Sequence, residues 1–313
     1  MAMLQTILGS SGIIGIELAK ELNKRGKSLR LVSRQPRDLF LGEEHFAANL
    51  LDADAVKQSV KGSQVVYLTA GLPYDSRVWK VQWPQIIQNT VSACREHGAR
   101  LVFFDNLYLY GPVEGWMTEE TTPRPLSEKG KIRDFLQEIL LEESQKGNLD
   151  ARIARSADFY GPNAKNGIPN MMIFAKLAKG KSPQWMVSVK HRHSLTYTRD
   201  AARGTAELGL RDELPGNERV WHLPTVPNPL TAEELALEAA KALSVTPKPV
   251  KTIKPWMIVL GGMVQRQIYE LGEMLYQYDR DYLFSSTAFE KAFGIKPTPY
   301  VRGIRETAES YRS

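Results

Sequence analysis

Three glycines near the beginning of the chain have the spacing of a phosphate-binding loop. The segment reads Gly9-Ser10-Ser11-Gly12-Ile13-Ile14-Gly15 and lies between an apolar run, Leu4 to Leu8, and residues that recur at helical spacing. Gly9 permits a tight turn, Gly12 lets the backbone approach a pyrophosphate, and Gly15 lets helix and strand pack closely. The helix N-terminus offers free N–H groups to the anion. The sequence therefore predicts a dinucleotide site that uses Gly9, Ser11, Gly12, Ile13 and Ile14.

The end of the second predicted strand bears on which dinucleotide is bound. Domains that bind NAD usually place Asp or Glu there to hold the ribose hydroxyls. This chain has Ser33-Arg34, with Arg37 close behind. A guanidinium would bind the adenosine 2′-phosphate through charge-assisted hydrogen bonds, whereas a carboxylate would repel it. The sequence predicts NADP in preference to NAD; the alternative is that these arginines are solvated loop residues.

Strands and helices alternate through the first half of the chain, and this pattern predicts what positions the loop. Strands are predicted at Leu4–Leu8, Ser28–Ser33, Phe46–Leu50, Val65–Thr69, Arg100–Asp105 and Ala151–Arg155, and helices at Pro84–His97 and Lys129–Gln145. Such alternation is typical of an α/β Rossmann fold, a doubly wound parallel sheet covered on both faces.

The pattern changes in the second half, where Pro and Gly become frequent. A helix and a strand return at Thr198–Leu210 and Arg219–Leu223, and two long helices are predicted at Thr231–Leu243 and Trp256–Gln277. We therefore predict a Rossmann domain of residues 1–162 and 194–223 and a smaller C-terminal substrate lobe of residues 163–193 and 224–313.

Composition narrows the class of protein and its partners. The 313 residues are 42% hydrophobic, enough for a large core, but the longest apolar run, Trp256 to Val264, is too short to span a membrane. Met1 to Gly15 has no signal-peptide pattern and Cys94 is the one cysteine, so we expect a cytoplasmic protein with no membrane partner.

The basic residues that give the net charge of +6 are scattered along the chain, and no DNA-binding motif is present, which favours a small anionic ligand over nucleic acid. His191-Arg192-His193 lacks a third ligand, so no metal is predicted.

Further motifs follow the glycine loop in a recognisable order. They read Asn49-Leu50-Leu51-Asp52, Val66-Tyr67-Leu68-Thr69-Ala70-Gly71, Tyr108-Leu109-Tyr110-Gly111, Arg155-Ser156-Ala157-Asp158-Phe159-Tyr160-Gly161-Pro162 and Tyr197-Thr198-Arg199-Asp200, with Asn89 in a helix. In this order the chain resembles the extended short-chain dehydrogenase/reductase family, in its NAD-dependent epimerase/dehydratase branch, over nearly its whole length. The resemblance implies that Asp52 lies near the adenine and that Thr69, Ala70 and Gly71 lie along the cofactor. It also implies a homodimer.

The chain departs from that family where the family's catalytic residues would stand. The resemblance implies a Ser or Thr on the fifth strand and a Tyr-x-x-x-Lys motif on the next helix. This sequence has Asn106 at the Ser position, Lys129 at the Tyr position and Arg133 at the Lys position, and no tyrosine occurs between Tyr110 and Tyr160. Arg133 and Asn106 would then contact the cofactor.

The departure leaves two functions open. In the first, the like charge of Arg133 one helical turn away makes Lys129 lose its proton more readily, so that Lys129 serves as general acid/base or nucleophile, with Tyr108 as a displaced acid. The chain is then an NAD(P)-dependent epimerase, dehydratase or reductase for a small sugar- or nucleotide-linked substrate. In the second, Lys129 and Arg133 form an exposed charged helix face, and the chain is a non-catalytic NADP-binding redox sensor or regulatory protein.

Overall fold

The computed structural model describes residues 4–35, 38–216 and 218–312. The strands are β1 (Leu4–Leu8), β2 (Ser28–Ser33), β3 (Glu44–Ala47), β4 (Val65–Leu68), β5 (Arg100–Asp105), β6 (Trp116–Met117), β7 (Ala151–Arg155), β8 (Asp158–Tyr160), β9 (Gln184–Met186), β10 (Leu195–Tyr197), β11 (Val220–His222), β12 (Lys251–Ile253) and β13 (Leu283–Phe284). The α-helices are α1 (Ile13–Lys24), α2 (Ala53–Val60), α3 (Ser76–His97), α4 (Glu128–Gln145), α5 (Ala175–Ala178), α6 (Thr198–Leu210), α7 (Ala232–Leu243), α8 (Pro255–Val264), α9 (Arg266–Gly272), α10 (Thr287–Phe293) and α11 (Tyr300–Glu309).

A seven-stranded sheet in the order β11-β7-β5-β4-β1-β2-β3 forms the centre of the fold. Parallel pairing joins β2 to β1, β1 to β4, β4 to β5 and β5 to β7. Every residue of β4 and β7 is buried, as expected of parallel strands covered on both faces. The chain runs outward from β1 through β2 to β3 and then returns to place β4 on the other side of β1. The predicted doubly wound parallel sheet is thus confirmed, and its switch point lies between β1 and β4.

Three predicted element boundaries are wrong for identifiable reasons. The third strand covers Glu44–Ala47, not Phe46–Leu50, because the following residues turn toward α2. α3 begins at Ser76, capped by the Asp75 carboxylate, and carries Pro84 in its interior instead of at its first turn. The helix predicted from Trp256 to Gln277 is interrupted at Gln265, whose φ of −122° and ψ of 117° are extended.

The described residues form two compact units. The first comprises the described part of Met1–Asn106, with Lys131–Arg155 and Ala201–Trp221; the second comprises Leu107–Gly130, Ser156–Asp200 and the remainder from His222. The second unit has its own apolar core, in which α7 and α11 pack with buried aromatic residues such as Tyr160, Phe174 and Trp185. The domain boundaries inferred from the sequence stay a prediction.

In the described portion of the chain, none of the helices combines the length and the apolar character needed to cross a bilayer.

Candidate functional site

The glycine loop lies at the switch point of the sheet, within the first unit. Gly9 follows β1 directly and has a φ of 93°, which L side chains rarely adopt. A Cβ on Gly9 would lie 2.5 Å from the Cα of Ala70, the second residue after β4. The amides of Gly9 and Ser10 both donate to the Val32 carbonyl, at 2.9 and 3.1 Å. The loop is therefore fixed against the carboxyl ends of three adjacent strands, where open α/β sheets bind ligands.

The N-terminus of α1 has the features of an anion site. Gly12 is its N-cap, and among the described residues no side chain caps it and no acidic residue occupies its first turn. Helix N-termini leave backbone N–H groups without an intrahelical partner and carry partial positive charge. A Cβ on Gly12 would meet only two carbonyl oxygens, at 3.3 and 3.8 Å, so the space above the loop is open toward a ligand. Ser11 is exposed, Ile13 is half-buried and Ile14 is buried, its side chain directed to the core.

Four further predicted cofactor residues lie beside this loop. Ser33 ends β2, and its buried Oγ has no hydrogen-bond partner in the described structure. A buried hydroxyl of this kind fits a ligand oxygen, because an unsatisfied buried polar atom costs about 1–3 kcal/mol. Thr69 is buried, and its Oγ1 donates to the Leu8 carbonyl at 3.3 Å, which ties β4 to β1. Ala70 is half-buried and Gly71 is exposed.

The loop after β2 carries the exposed Arg34, while Arg37 falls outside the described residues. His45 ion-pairs with Asp38 and Glu43 in this region, at 3.1 and 3.3 Å. These three residues could together offer metal-ligand atoms, but such surface groups are common without an ion.

Asp52 and Asn89 have structural contacts. Asp52 is exposed and caps α2, its carboxylate accepting from the Ala55 amide at 3.0 Å. Asn89 donates to the Leu50 carbonyl at 2.9 Å and so attaches α3 to the segment before α2. The placement of Asp52 near an adenine, implied by the resemblance, stays a prediction.

Arg133 lies in an aromatic cage within the first unit. Its guanidinium carbon is 4.4 Å from the ring centroid of Trp83, 5.0 Å from that of Trp79 and 5.3 Å from that of Phe103. Cation–π contacts of this kind stabilise a desolvated cation by up to about 2 kcal/mol. Its Nε lies 3.4 Å from Asp105 Oδ1. Arg133 is thus buried, and the alternative that it belongs to an exposed charged face is wrong.

Asp105 is the buried anion of this region. Besides Arg133, it has Arg155 as a partner, whose Nη2 donates to Oδ2 at 2.9 Å. Arg155 also donates to Gln137 at 2.6 Å. Asn106 follows Asp105 at the end of β5 and is half-buried. Asn106 therefore stands at the carboxyl edge of the sheet, one strand away from Thr69 and Ala70.

Lys129 is the centre of a buried ionic cluster in the second unit, which we call the Lys129 clamp (Lys129, Arg266, Glu270 and Glu273). Its side chain is 0% exposed, and its ammonium binds the carboxylate of Glu270 as well as Glu273 Oε1, the latter at 2.6 Å. A third contact reaches the Glu270 carbonyl at 3.4 Å. Glu270 also pairs with Arg266. The alternative that Lys129 lies on an exposed helix face is wrong.

The clamp joins the first turn of α4 to α9. Glu273 Oε2 accepts from the backbone amide of Glu128 at 2.7 Å, so one carboxylate both caps α4 and pairs with Lys129. Sequence reasoning missed Glu270 and Glu273. Their spacing of three residues, which puts two carboxylates on one face of an otherwise apolar helical segment, was the signal available.

Tyr108 occupies a 3-10 turn, Tyr108–Tyr110, and is half-buried. Its carbonyl accepts from the hydroxyl of Tyr276 at 3.5 Å. Further phenols lie in the same unit, and burial raises the pKa of Tyr278 and of Tyr282 well above the usual range. These side chains are therefore neutral hydrogen-bonding groups near neutral pH.

The sequence profile of the NAD dependent epimerase/dehydratase family matches residues 5–217. The chain belongs to this family. A curated relative, an uncharacterised protein designated y4nG from Sinorhizobium fredii, is 26% identical over 164 residues, which are 50% of this chain. The match spans only 41% of that relative's length. The family resemblance seen in the sequence is thus confirmed.

Solved structures agree in fold over the whole chain. UDP-glucose 4-epimerase of Thermus thermophilus in complex with NAD superimposes with a TM-score of 0.80 at 19% identity, covering 99% of each chain. dTDP-glucose 4,6-dehydratase of Streptomyces venezuelae, with NAD and TYD bound, gives 0.78 at 17% identity, covering 99% of this chain and 97% of that one. UDP-glucose 4-epimerase of Thermotoga maritima with UDP-glucose gives 0.79 at 16%, covering 99% of each. At these identities the likeness establishes the fold.

Proposed function

We propose that this family member binds a nicotinamide dinucleotide in the first unit, along the loop Gly9–Gly15, with Ser33, Arg34, Thr69, Ala70 and Gly71 beside it. The observation that carries the proposal is the uncapped N-terminus of α1 at the switch point of the sheet, where Gly9 closes against Ala70. The unpartnered Ser33 Oγ supports it, because a ligand oxygen would satisfy that hydroxyl. The structural neighbours solved with NAD support the same ligand class.

We propose NADP as the preferred cofactor, with NAD as the alternative. Ser33 and Arg34 stand where a carboxylate would favour the free ribose hydroxyls of NAD. A guanidinium at this position donates to a phosphate and keeps its charge at every physiological pH. Arg34 is exposed, so its guanidinium is accessible to the 2′-phosphate of a cofactor that binds from solvent.

The reaction that we propose is that of an epimerase, dehydratase or reductase acting on a small sugar- or nucleotide-linked substrate. The neighbours named for UDP-glucose and dTDP-glucose support nucleotide sugars as the first substrates to test. When bound, the nicotinamide would accept or donate hydride. The chain must then supply a proton carrier, for which Lys129 and Tyr108 are the candidates, while Asn106 and Arg133 would contact the cofactor.

Among these residues we propose Tyr108 for proton transfer. The ammonium of Lys129 is shared by Glu270 and Glu273, and the guanidinium of Arg133 packs between aromatic rings. Both arrangements favour a positioning role for these two cations. Tyr108 is half-buried and carries a hydroxyl of the kind that the family's tyrosine supplies. The same contacts of Lys129 and Arg133 favour one second candidate, a cofactor-binding module without turnover that senses redox state.

The first experiment measures thermal stability with NADPH and NADH for the wild type and Gly12→Ala. A cofactor at a hundredfold its Kd stabilises the native state by about 2.7 kcal/mol. In Gly12→Ala the new Cβ lies 3.3 Å from the Gly9 carbonyl oxygen, so the melting temperature of the ligand-free variant is measured first as its own reference. The methyl group blocks the pyrophosphate and abolishes the shift. An undiminished shift in Gly12→Ala would refute the proposed site.

Cofactor choice and turnover are tested separately. Arg34→Glu weakens NADPH binding by about tenfold or more and leaves NADH binding little changed, whereas Lys80→Glu, an exposed lysine of α3, affects neither. Wild-type protein that binds NADH as tightly as NADPH would refute the NADP preference.

Absorbance of the reduced nicotinamide with a panel of nucleotide sugars tests turnover. Tyr108→Phe then lowers kcat, while cofactor binding without turnover favours the sensor. A homodimer and a cytoplasmic location stay predictions.

A further inference from the structure

α8 presents an apolar stripe to solvent. Trp256, Val259, Leu260, Met263 and Val264 recur at the spacing of one helix face, and all are exposed, from 56% for Leu260 to 86% for Val264. Helices of globular proteins normally turn such a stripe toward the core. Contiguous exposed apolar patches beyond a few hundred Å² are rare in monomeric proteins and mark interaction surfaces. This stripe is therefore a surface that something else covers.

The helix is held in place by its other side. Ile258 is buried in the apolar core of the second unit. Gly261 and Gly262 allow α9 to fold back closely, since a Cβ on Gly262 would lie 2.9 Å from the Cα of Tyr269. The break at Gln265 makes the two helices a tight hairpin. The stripe is thus anchored by Ile258 and by the packing of α9, so its outward orientation is built into the fold.

The surroundings of the stripe are basic. Lys248, Lys251 and Lys254 precede α8 and are exposed. No Asp or Glu occurs from Lys241 to Tyr269. Such a helix, with lysines at its edge and a tryptophan at its end, is complementary to an anionic bilayer surface. The acyl chains would contact its apolar face, and the anionic headgroups would bind the lysines. A symmetric contact with a second copy would bring these lysines close to one another, which is unfavourable.

We propose that α8 binds the surface of an anionic lipid bilayer and lies in its interface. Ten residues of helix extend about 15 Å, half the hydrocarbon thickness of about 30 Å, so α8 rests in one leaflet and does not cross. Trp256 and Leu260 enter the acyl boundary, while Lys251 and Lys254 meet the phosphates. The protein is then an interfacial protein whose second unit faces the membrane.

The test is flotation of the full chain with vesicles of phosphatidylcholine alone or mixed with phosphatidylglycerol. The chain is expected to float with the mixed vesicles and to be released by salt. The double variant Leu260→Glu/Met263→Glu loses about a hundredfold or more in partitioning, because two apolar side chains no longer enter the bilayer. Val301→Glu, a 71% exposed apolar residue of α11, is the matched control and partitions like the wild type.

The lysines are tested in the same assay. Lys251→Gln/Lys254→Gln weakens binding to the anionic vesicles by about 25-fold, about fivefold for each charge, while Lys291→Gln on α10 leaves it unchanged. Wild-type protein that floats with neither vesicle overturns the proposal. It is also overturned if light scattering shows a dimer that Leu260→Glu/Met263→Glu dissociates while vesicle binding is absent, since a second copy then covers the stripe.

Discussion

The Lys129 clamp makes a quantitative prediction about stability. Lys129→Met removes an ammonium that is 0% exposed and leaves the carboxylate of Glu270, which is 1% exposed, with Arg266 as its remaining cation. Breaking a buried ion pair by removing one partner costs about 3–5 kcal/mol. Because Arg266 remains and Glu273 is 23% exposed, we expect the lower end of that range, about 3 kcal/mol.

The assay is urea unfolding followed by circular dichroism, with the denaturant dependence checked for each variant. Lys131→Met, at an exposed position of the same helix, is the control and changes stability by no more than about 0.5 kcal/mol. The cycle formed with Glu270→Gln should give a coupling energy of about 1–3 kcal/mol. A cost below about 1 kcal/mol for Lys129→Met, or zero coupling, would refute the structural role of the clamp.

Three further outcomes concern Asp150, Cys94 and Gly15 of the first unit. Burial opposes the charged form of Asp150, but hydrogen bonds from Arg152 and Arg100 outweigh it and lower the pKa of Asp150 below its usual 3.8. The ionised Asp150 carboxylate therefore stabilises the fold fully above its unfolded-state pKa, and this stabilisation is lost as the pH falls through the folded-state pKa. The difference in unfolding free energy between wild type and Asp150→Asn should accordingly shrink below about pH 4, as measured by unfolding at a series of acidic pH values. Burial raises the pKa of the Cys94 thiol, so a thiol reagent should react with Cys94 only in unfolded protein. Gly15→Ala should cost about 1–3 kcal/mol in chemical unfolding, since its Cβ would lie 2.5 Å from a loop carbonyl; a neutral effect would contradict the packing described for α1.

Much of the first unit could be predicted from local patterns. The bounds predicted for β1, β2, β5 and β7 agree with the structure residue for residue, because short apolar runs bounded by Gly or polar residues are the local signature of buried parallel strands. The glycine loop is equally predictable from sequence, because its three glycines are needed for a tight turn and for close backbone approaches to residues nearby in the chain. Errors arose where tertiary packing decided the outcome, as at Gln265, where α9 folds back onto Gly261 and Gly262.

The surroundings of Lys129 could not be predicted in the same way. Its carboxylate partners lie 141 and 144 residues farther along the chain, beyond the reach of any local pattern. The sequence suggests Arg133, four residues away, as the neighbour that sets the charge of Lys129. Arg133 is instead enclosed by Trp79, Trp83 and Phe103, and its described ion-pair partner is Asp105. Two cations one helical turn apart on α4 are thus each neutralised by their own acidic partners.

That Lys129 and Arg133 have different acidic partners bears on which residue would transfer a proton during turnover. A proton carrier must exchange its proton with a reacting atom, and three contacts of the Lys129 ammonium are to Glu270 and Glu273. Use of Lys129 in catalysis would compete with these bonds, and the coupling energy measures the strength of the one to Glu270. A strong coupling places the acid/base role on another group, for which Tyr108 is the candidate. A weak coupling, together with loss of turnover in Lys129→Met at unchanged stability, would return that role to the lysine.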